Sequence, residues 1–575
     1  MIDVDLVVVG GGLAGIAAAL DAADAGATVT LVERRQHLGG LTWSFRRHGL
    51  WFDNGQHVFM RCCDEYRRFL DRIGAACDVV LQEQLAVPVL APNGRRATIG
   101  RSRLPAPLHL AGAMARYGHL SVADRLRLGP AVAALGRLDP DDPALDRNTF
   151  GEWLARHHQR PRAVSALWDL ITLPTVNVPA AEASLAMAAK VFRTGLLDTS
   201  DGGDIGWSAV PLGELHGRRS AAALGAAGVE VVCGARVEQL RPVPDGGWQV
   251  VADSGARRWQ AASVVVAAPH EATAGLVPVG TLPDVQVLGT SAVVDVQLVF
   301  DRSVTDLPFF AAVDSPVQFV FDKTSTAGVT RGQCLALSLS GADRYLGTRP
   351  EVLVGQFVEA LGRLLPGVPR AGLVDAVVTK EHAATFRATP GTAAARPAPG
   401  MIAPGLAVAG AWCATGWPAT MEGAVRSGRA AAAAVLAGTG AAHPPSVPSS
   451  RPGSGSHMRD VAPGRPRRRH GQAHASQSGA GRVHAGQSGA SQSGASQSGA
   501  GQSDTSRSDT GQSGAGRVHA GQSGASQSGA GQSDTSQSDT SQSDAGRVQA
   551  GRAGSVSQNG GLAERRPVPS PQEVP

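Results

Sequence analysis

The chain opens with a short apolar run, a glycine turn and an alanine-rich stretch of helical period. Asp5–Val9 (DLVVV) reads as a strand covered on both faces, since such a strand carries apolar residues without alternation. Gly10-Gly11-Gly12-Leu13-Ala14-Gly15 follows. Ile16 to Ala25 is then helical and stops at Gly26, a residue suited to a helix C-terminus. Thr28–Val32 (TVTLV) is a second strand, closed by Glu33. Together these make a β-α-β unit.

Further along, residues 60–135 mix apolar and basic side chains at helical spacing, as in Tyr66–Leu70, Leu108–Met114 and Ala123–Leu126. Residues 147–198 also read as helical. Val229–Val232, Val237–Leu240, Trp248–Ala252 and Ser263–Ala267 are short strands between Gly or Pro turns. Ala292–Phe300 and Val317–Phe321 add strands, and Leu353–Leu365 is an amphipathic helix. Leu406–Ala409 is a last core strand before an Ala-rich helix, Glu422–Leu436. From Ala441 the pattern ends: Gly, Ser, Gln, Ala and Asp dominate, and GRVHAGQSGASQSGA recurs at 481–495 and 516–530. That repeat has no apolar face to bury, so 441–575 is expected to be a disordered tail.

Composition narrows the class. With 43% hydrophobic and 18% charged residues the chain is a globular protein, which excludes collagen, coiled coil and a wholly disordered chain. The residues ahead of the tail exceed one simple domain, so two are expected. The net charge of +5 is small for 575 residues. The one basic cluster, Arg465 to His470, reads as a solvated run, and neither zinc spacing nor an aromatic–basic stripe points to nucleic acid or to a metal. Six cysteines without a C-x-x-C pair suit a reducing cytoplasm. Asp3 and Asp5 stand where a secretory leader carries Lys or Arg, and no stretch stays apolar long enough to span a bilayer.

Gly10-x-Gly12-x-x-Gly15 gains meaning from its place between a strand and a helix, with an acid 18 residues after Gly15 at Glu33. Gly10 permits the turn, Gly12 lets the backbone approach a pyrophosphate, and Gly15 lets the helix pack on the strand. The N-terminus of the helix that follows faces the anion. Glu33 is placed to grip a ribose. The plain alternative is an ordinary strand–helix turn.

The residues after Glu33, Arg34-Arg35-Gln36-His37-Leu38-Gly39-Gly40, resemble the flavin amine oxidase and phytoene desaturase superfamily. There the glycine pair continues into an Arg; here Leu41 follows, and Arg34 or Arg46 could supply the charge. Val408-Ala-Gly410-Ala-Trp412 and Gly416 through Met421-Glu422-Gly423-Ala424 to Gly428-Arg429 are similar to that superfamily's second flavin motif. The resemblance covers residues 4–437. It implies FAD rather than NAD, with Gly10, Gly12, Leu13, Ala14, Gly15, Glu33, Arg34, Gly39, Gly40, Leu41, Gly55, Gln56, His57, Val237, Gly410, Met421, Glu422, Gly423 and Ala424 around it. Val237 would meet the adenine. Glu422 would hold a ribityl hydroxyl, or else stabilise a helix capped by Thr420. The implied fold is α/β: a Rossmann-type FAD-binding domain with an interleaved α+β substrate domain. Residues 1–60, 206–285 and 401–440 would form the flavin domain, 61–205 a helical region facing substrate and membrane, and 286–400 the substrate domain.

Asp53-Asn-Gly55-Gln-His57-Val, Asn177, Leu104-Pro-Ala-Pro107 and the Pro418–Gly428 ending together resemble the hydroxysqualene dehydroxylase family. That resemblance implies reduction of hydroxysqualene to squalene with loss of water, electrons coming through reduced FAD from a donor that the residues do not name. Carotenoid-type desaturation, another oxidoreduction of the flavin amine oxidase superfamily, and a flavin-binding scaffold role are the alternatives. An allylic hydroxyl leaves when it is protonated, so a proton donor is needed. His57 and Asp53 are the candidate donors, unless their loop only supports the flavin. A polyisoprenoid substrate implies a cytoplasmic protein held peripherally on the inner face of the membrane. Arg101–Leu138, with Leu104, Leu108, Leu110, Met114, Leu120, Leu126 and Leu128 among its arginines, suits that contact; an ordinary packed helix pair is the alternative.

Overall fold

The computed structural model describes residues 2–438. The calls made on 441–575, including the 35-residue repeat and the Arg465–His470 cluster, lie outside the described residues.

Strand Ile2–Val9 runs parallel to Val29–Glu33 on one side and to Arg257–Val266 on the other, at the centre of an eight-stranded sheet. Three chain segments build that sheet. The first supplies Ile2–Val9 and Val29–Glu33; the second supplies Glu230–Cys233, Val237–Pro242, Trp248–Ala252 and Arg257–Val266; the third supplies Gly400–Ala403 and Leu406–Val408. The Val-rich run is buried on both faces. Leu6 and Val8 pack with helix Leu13–Asp24 and with helix Met421–Gly438, while Val7 and Val9 pack on the opposite side. The two helices approach closely because Gly428 lies at their contact, and Gly15 lets the first helix sit on the Gly10 turn. A Cβ at Gly428 would lie 2.0 Å from the Ala14 carbonyl oxygen, and one at Gly15 would lie 1.9 Å from that of Gly10.

A second, seven-stranded sheet has the order Leu373–Thr385, Ser291–Phe300, Gln333–Ser340, Phe319–Asp322, Phe309–Ala312, Ala86–Leu90 and Arg96–Gly100. One of its faces (Val294, Val296, Leu298, Leu335, Leu337 and Leu339) packs on Leu353, Phe357 and Leu361 of helix Pro350–Leu364. The other face is turned towards the 53–57 loop, with Val299 packed on Phe52.

The sequence pattern is corrected in two places. Helix Leu13–Asp24 starts before Ile16, with Gly12 as its N-cap. Residues 79–100, read as part of a helical region, are strands: Val79–Leu81 joins a three-stranded sheet with Val58–Met60 and Ile205–Ser208, and 86–90 and 96–100 form a hairpin. The hairpin signal was the Asn93-Gly94 turn, with Gly94 at φ 78°.

Candidate functional site

The first glycine turn meets the second at the ends of the parallel strands. Gly10 has φ 109°, and Gly39 and Gly40 have φ 101° and 59°, conformations that favour glycine. The Gly39 amide donates to the Gly11 carbonyl (2.9 Å), which joins the two loops. A Cβ on Gly40 would reach 2.9 Å from the Gly12 Cα, whereas a Cβ on Gly12 would meet nothing nearer than 3.9 Å. Gly12 thus borders open space at the N-terminus of helix Leu13–Asp24, which is what a bound pyrophosphate requires. Leu13 and Ala14 are buried in that helix's first turn.

Glu33 is buried at the end of its strand, accepting from the Gly11 amide (2.6 Å) and the Arg35 amide (2.7 Å). A carboxylate has room for a ribose hydroxyl besides these two. The adenine-side segment docks on the same strand end: the Ala235 amide donates to the Glu33 carbonyl and the Gly234 amide to the Arg35 carbonyl. Val237 begins the next strand and is buried.

The basic residue of this loop is corrected. Arg34 is exposed, and Arg46 lies on a hairpin, over the Trp51 ring and donating to the Gly49 carbonyl. Arg35 is the one that reaches the glycine pair, through Nη1 to the Gly40 carbonyl (2.9 Å). Asn54 braces the loop from below by donating to the Leu41 carbonyl (2.7 Å).

The C-terminal flavin segment is held by two devices. The Gly410 amide (φ 150°) donates to Ser427 Oγ (2.8 Å). Buried Arg396 donates to the carbonyls of Trp412, Cys413 and Trp417, and its burial lowers its pKa to about 10. Thr420 caps helix Met421–Gly438 by accepting from the Gly423 amide through Oγ1 (3.1 Å) and from the Ala424 amide through its carbonyl. The Gly423 and Ala424 amides are therefore satisfied by the cap, and helix geometry leaves those of Met421 and Glu422 for a ligand. The Glu422 side chain is committed elsewhere. It accepts from the Tyr66 amide (2.7 Å) and from Arg426 Nε (2.6 Å), which ties this helix to the N-terminus of helix Asp64–Arg72.

Neither expected proton donor has a donor's geometry. Asp53 is buried, with Oδ1 accepting from Ser44 Oγ (2.6 Å) and the Leu212 amide (3.0 Å) and Oδ2 ion-paired with buried Lys323 (2.9 Å). His57 turns Nδ1 to the Gly55 carbonyl (3.0 Å). A carbonyl only accepts, so Nδ1 carries the proton. Burial holds the ring's pKa below its ordinary value; the Gly55 carbonyl and Asp53 act the other way, and Lys323 lowers it. A neutral imidazole is a poor acid. Nearby His216 is fully buried, bonded through Nε2 to the Tyr66 hydroxyl (2.7 Å), and burial lowers its pKa to about 3.

The residue missed from sequence is Asp295. Its signal was a lone acid inside an apolar strand, Ser291–Phe300 (SAVVDVQLVF). It is 1% exposed. Oδ1 accepts from the Gln56 amide (3.0 Å), and Oδ2 has no well-formed hydrogen bond. A Cβ at Gly55 would lie 3.3 Å from that oxygen, so the carboxyl sits against the 53–57 loop. Burial raises its pKa to about 7; the Gln56 amide and the Ser338 hydroxyl oppose the rise, Asp53 adds to it and Lys323 lowers it. Across the strands, register places Thr379, Asp295, Ser338, Phe319, Ala311 and Val89 in one row. The next row continues through Phe321 to Phe309, whose ring meets Trp207 at 5.5 Å. This sheet face grades from polar beside the loop to aromatic away from it.

Two glycine loops joined at parallel strand ends, and a helix N-terminus from the far end of the chain, define a flavin-dependent oxidoreductase. The chain belongs to the flavin containing amine oxidoreductase family, whose model matches residues 13–436. Its cofactor is FAD, and the open space at Gly12, the free helix-end amides and the buried Glu33 fit that group. The chain is 29% identical to hydroxysqualene dehydroxylase of Rhodopseudomonas palustris over 75% of this chain and 98% of that protein. It is 32% identical to zeta-carotene desaturase of Zea mays over 28% of this chain, and spans 30% of that protein's length. Among solved structures, cyclohexylamine oxidase from Brevibacterium oxydans superposes with a TM-score of 0.57 at 20% identity, covering 76% of this chain and 100% of that one. Putrescine oxidase bound to putrescine gives 0.56 at 20% identity, covering 76% and 99%. These superpositions speak to the fold alone.

Proposed function

We propose that the protein is a dehydroxylase that reduces hydroxysqualene to squalene with loss of water. The observation that carries this reading is the graded sheet face, with Asp295, Ser338 and Thr379 beside the flavin loop and Phe319, Phe321, Phe309 and Trp207 beyond them. A long hydrocarbon with one hydroxyl matches a face that is polar at one end and aromatic at the other. A carotene carries no hydroxyl for the polar end to recognise. Similarity along nearly the full length of one hydroxysqualene dehydroxylase supports the same substrate. When bound in its reduced form, FAD supplies a hydride. The chain's part is to hold the hydroxyl at the polar end, to keep water from the hydrocarbon with the aromatic rings, and to provide a proton.

The test is product analysis. Purified protein, reduced anaerobically with a chemical reductant and given hydroxysqualene, is expected to form squalene. New conjugated double bonds under oxidising conditions would instead indicate a desaturase, and loaded flavin without any turnover would leave a scaffold role.

The same reading makes the membrane the source of substrate. Among the described residues no helix is long and apolar enough to cross a bilayer, so the contact is peripheral. Of the leucines expected to face lipid, Leu120 and Leu128 are buried, and Leu110 and Met114 pack against the core. Leu108 and Leu126, by contrast, are 57% and 73% exposed, with Leu104 and Val122 also exposed. Arg103, Arg116 and Arg127 of the same segment are exposed as well, whereas Arg101 is paired with Asp204. Exposed leucines ringed by arginines suit an anionic bilayer surface. Leu108→Asp combined with Leu126→Asp is expected to keep FAD and abolish co-sedimentation with anionic liposomes. Equal sedimentation of variant and wild type would remove this surface from consideration.

A further inference from the structure

We propose that Asp295 is the proton donor of the reaction, passing its carboxyl proton to the departing hydroxyl oxygen of an allylic alcohol. The assignment rests on the dehydroxylase reading above. It is carried by a carboxyl in the middle of a largely apolar strand, 1% exposed, with one oxygen lacking a well-formed hydrogen bond and set against the backbone of the 53–57 loop. Such a group is costly to bury, and structural carboxylates offset the cost by pairing. Asp53 shows the contrast: its Oδ1 accepts from Ser44 and the Leu212 amide, and its Oδ2, also without a well-formed hydrogen bond, is ion-paired with Lys323.

The surroundings favour a neutral acid. From the neighbouring strands Asp295 faces the uncharged Ser338 and Thr379. From the loop it faces the Gln56 amide, with His57 two residues from Gly55. The charged groups acting on it are Asp53 and Lys323, which pair with each other and so largely cancel. Burial then leaves the carboxyl protonated up to about pH 7, matched to general-acid work near neutrality.

The step balances. The allylic C–O bond breaks with its electron pair on oxygen, the Asp295 proton joins that oxygen, and water leaves. Hydride from reduced FAD forms the new C–H bond, so the alcohol carbon is reduced and the flavin oxidised. Asp295 is left as a carboxylate and takes a proton from solvent before the next turnover.

The experiment uses the FAD-loaded enzyme, chemically reduced without oxygen, with hydroxysqualene in anionic liposomes. Asp295→Asn keeps the side chain's shape and removes its acid. It is expected to retain flavin at wild-type stoichiometry and to lose on the order of 10²–10⁴-fold in turnover. The wild-type rate is expected to fall as pH rises through about 7, and the residual rate of the variant to lack that limb. Asp295→Glu is expected to recover part of the rate. A variant that turns over within threefold of a squalene-forming wild type overturns the assignment while leaving the function intact. A flavin-loaded wild type that makes no squalene overturns the dehydroxylase reading and this assignment with it.

A second measurement needs no variant turnover. Infrared difference spectra of the wild type are expected to show a protonated carboxyl band that titrates near pH 7. Complete ionisation of every buried carboxyl below about pH 5 would overturn the proposal even if Asp295→Asn failed to fold. A folded carboxyl raised above its unfolded value holds its proton longer, so its contribution declines as pH rises from the ordinary carboxylate range to about 7.

Discussion

Gly12→Val is expected to give a folded but colourless protein. Gly12 has φ −78° and ψ 176°, an extended conformation open to any residue, so the substitution adds no backbone strain. A Cβ there meets nothing nearer than 3.9 Å. The new methyl groups therefore fill the space at the helix N-terminus that a pyrophosphate needs, rather than collide with the protein. Circular dichroism and thermal melting without added flavin should match wild type, and the visible flavin spectrum should vanish. Gly15→Val supplies the contrast. Its Cβ would lie 1.9 Å from the Gly10 carbonyl oxygen, so it should fail to fold rather than merely fail to bind. Full flavin absorbance in Gly12→Val would mean that the pyrophosphate does not lie over this turn.

Lys323→Met is expected to cost about 3–5 kcal/mol of stability, measured by urea unfolding of the FAD-loaded protein. Lys323 and Asp53 are both buried and pair at 2.9 Å. Removing the ammonium leaves the Asp53 carboxylate in the core with only the Ser44 hydroxyl and the Leu212 amide to hold it. The double variant Asp53→Asn with Lys323→Met should be less destabilised than Lys323→Met alone, because no charge is then left buried. A double variant as unstable as the sum of the two singles would show that the pair acts through packing and not through charge. Gln297 Nε2 also donates to the Asp53 carbonyl (2.8 Å). The pair thus helps fix the 53–57 loop on the strand that carries Asp295, and losing it is expected to loosen FAD as well.

Much of the flavin half was legible from local pattern because its signals are local. A parallel strand buried on both faces must be apolar throughout, and DLVVV is. Gly10, Gly12 and Gly15 are set by a turn, an open approach and a helix contact, all within six residues. Glu33 follows from the length of one helix and one strand. The C-terminal motif was legible for the same reason, although Glu422 shows the limit. Its partners, Tyr66 and Arg426, include a residue more than 350 positions away, and only folding reveals that the carboxylate serves the neighbouring helix.

The sequence by itself determined the class of the sheet, the glycine cradle, the acid at its rim and the motif that closes it from the far end of the chain. The tertiary structure decided which charged groups are free to act. Asp53 looked available because its loop is polar, yet Lys323, 270 positions later, neutralises it. Arg35 rather than Arg34 or Arg46 reaches the second glycine loop because the turn after Glu33 points it there. Asp295 looked like a blemish in a strand; register across three strands sets it beside Ser338 and Thr379 and under Gly55. A side chain's protonation depends on burial and on partners brought from distant segments, and neither is encoded in its immediate neighbours.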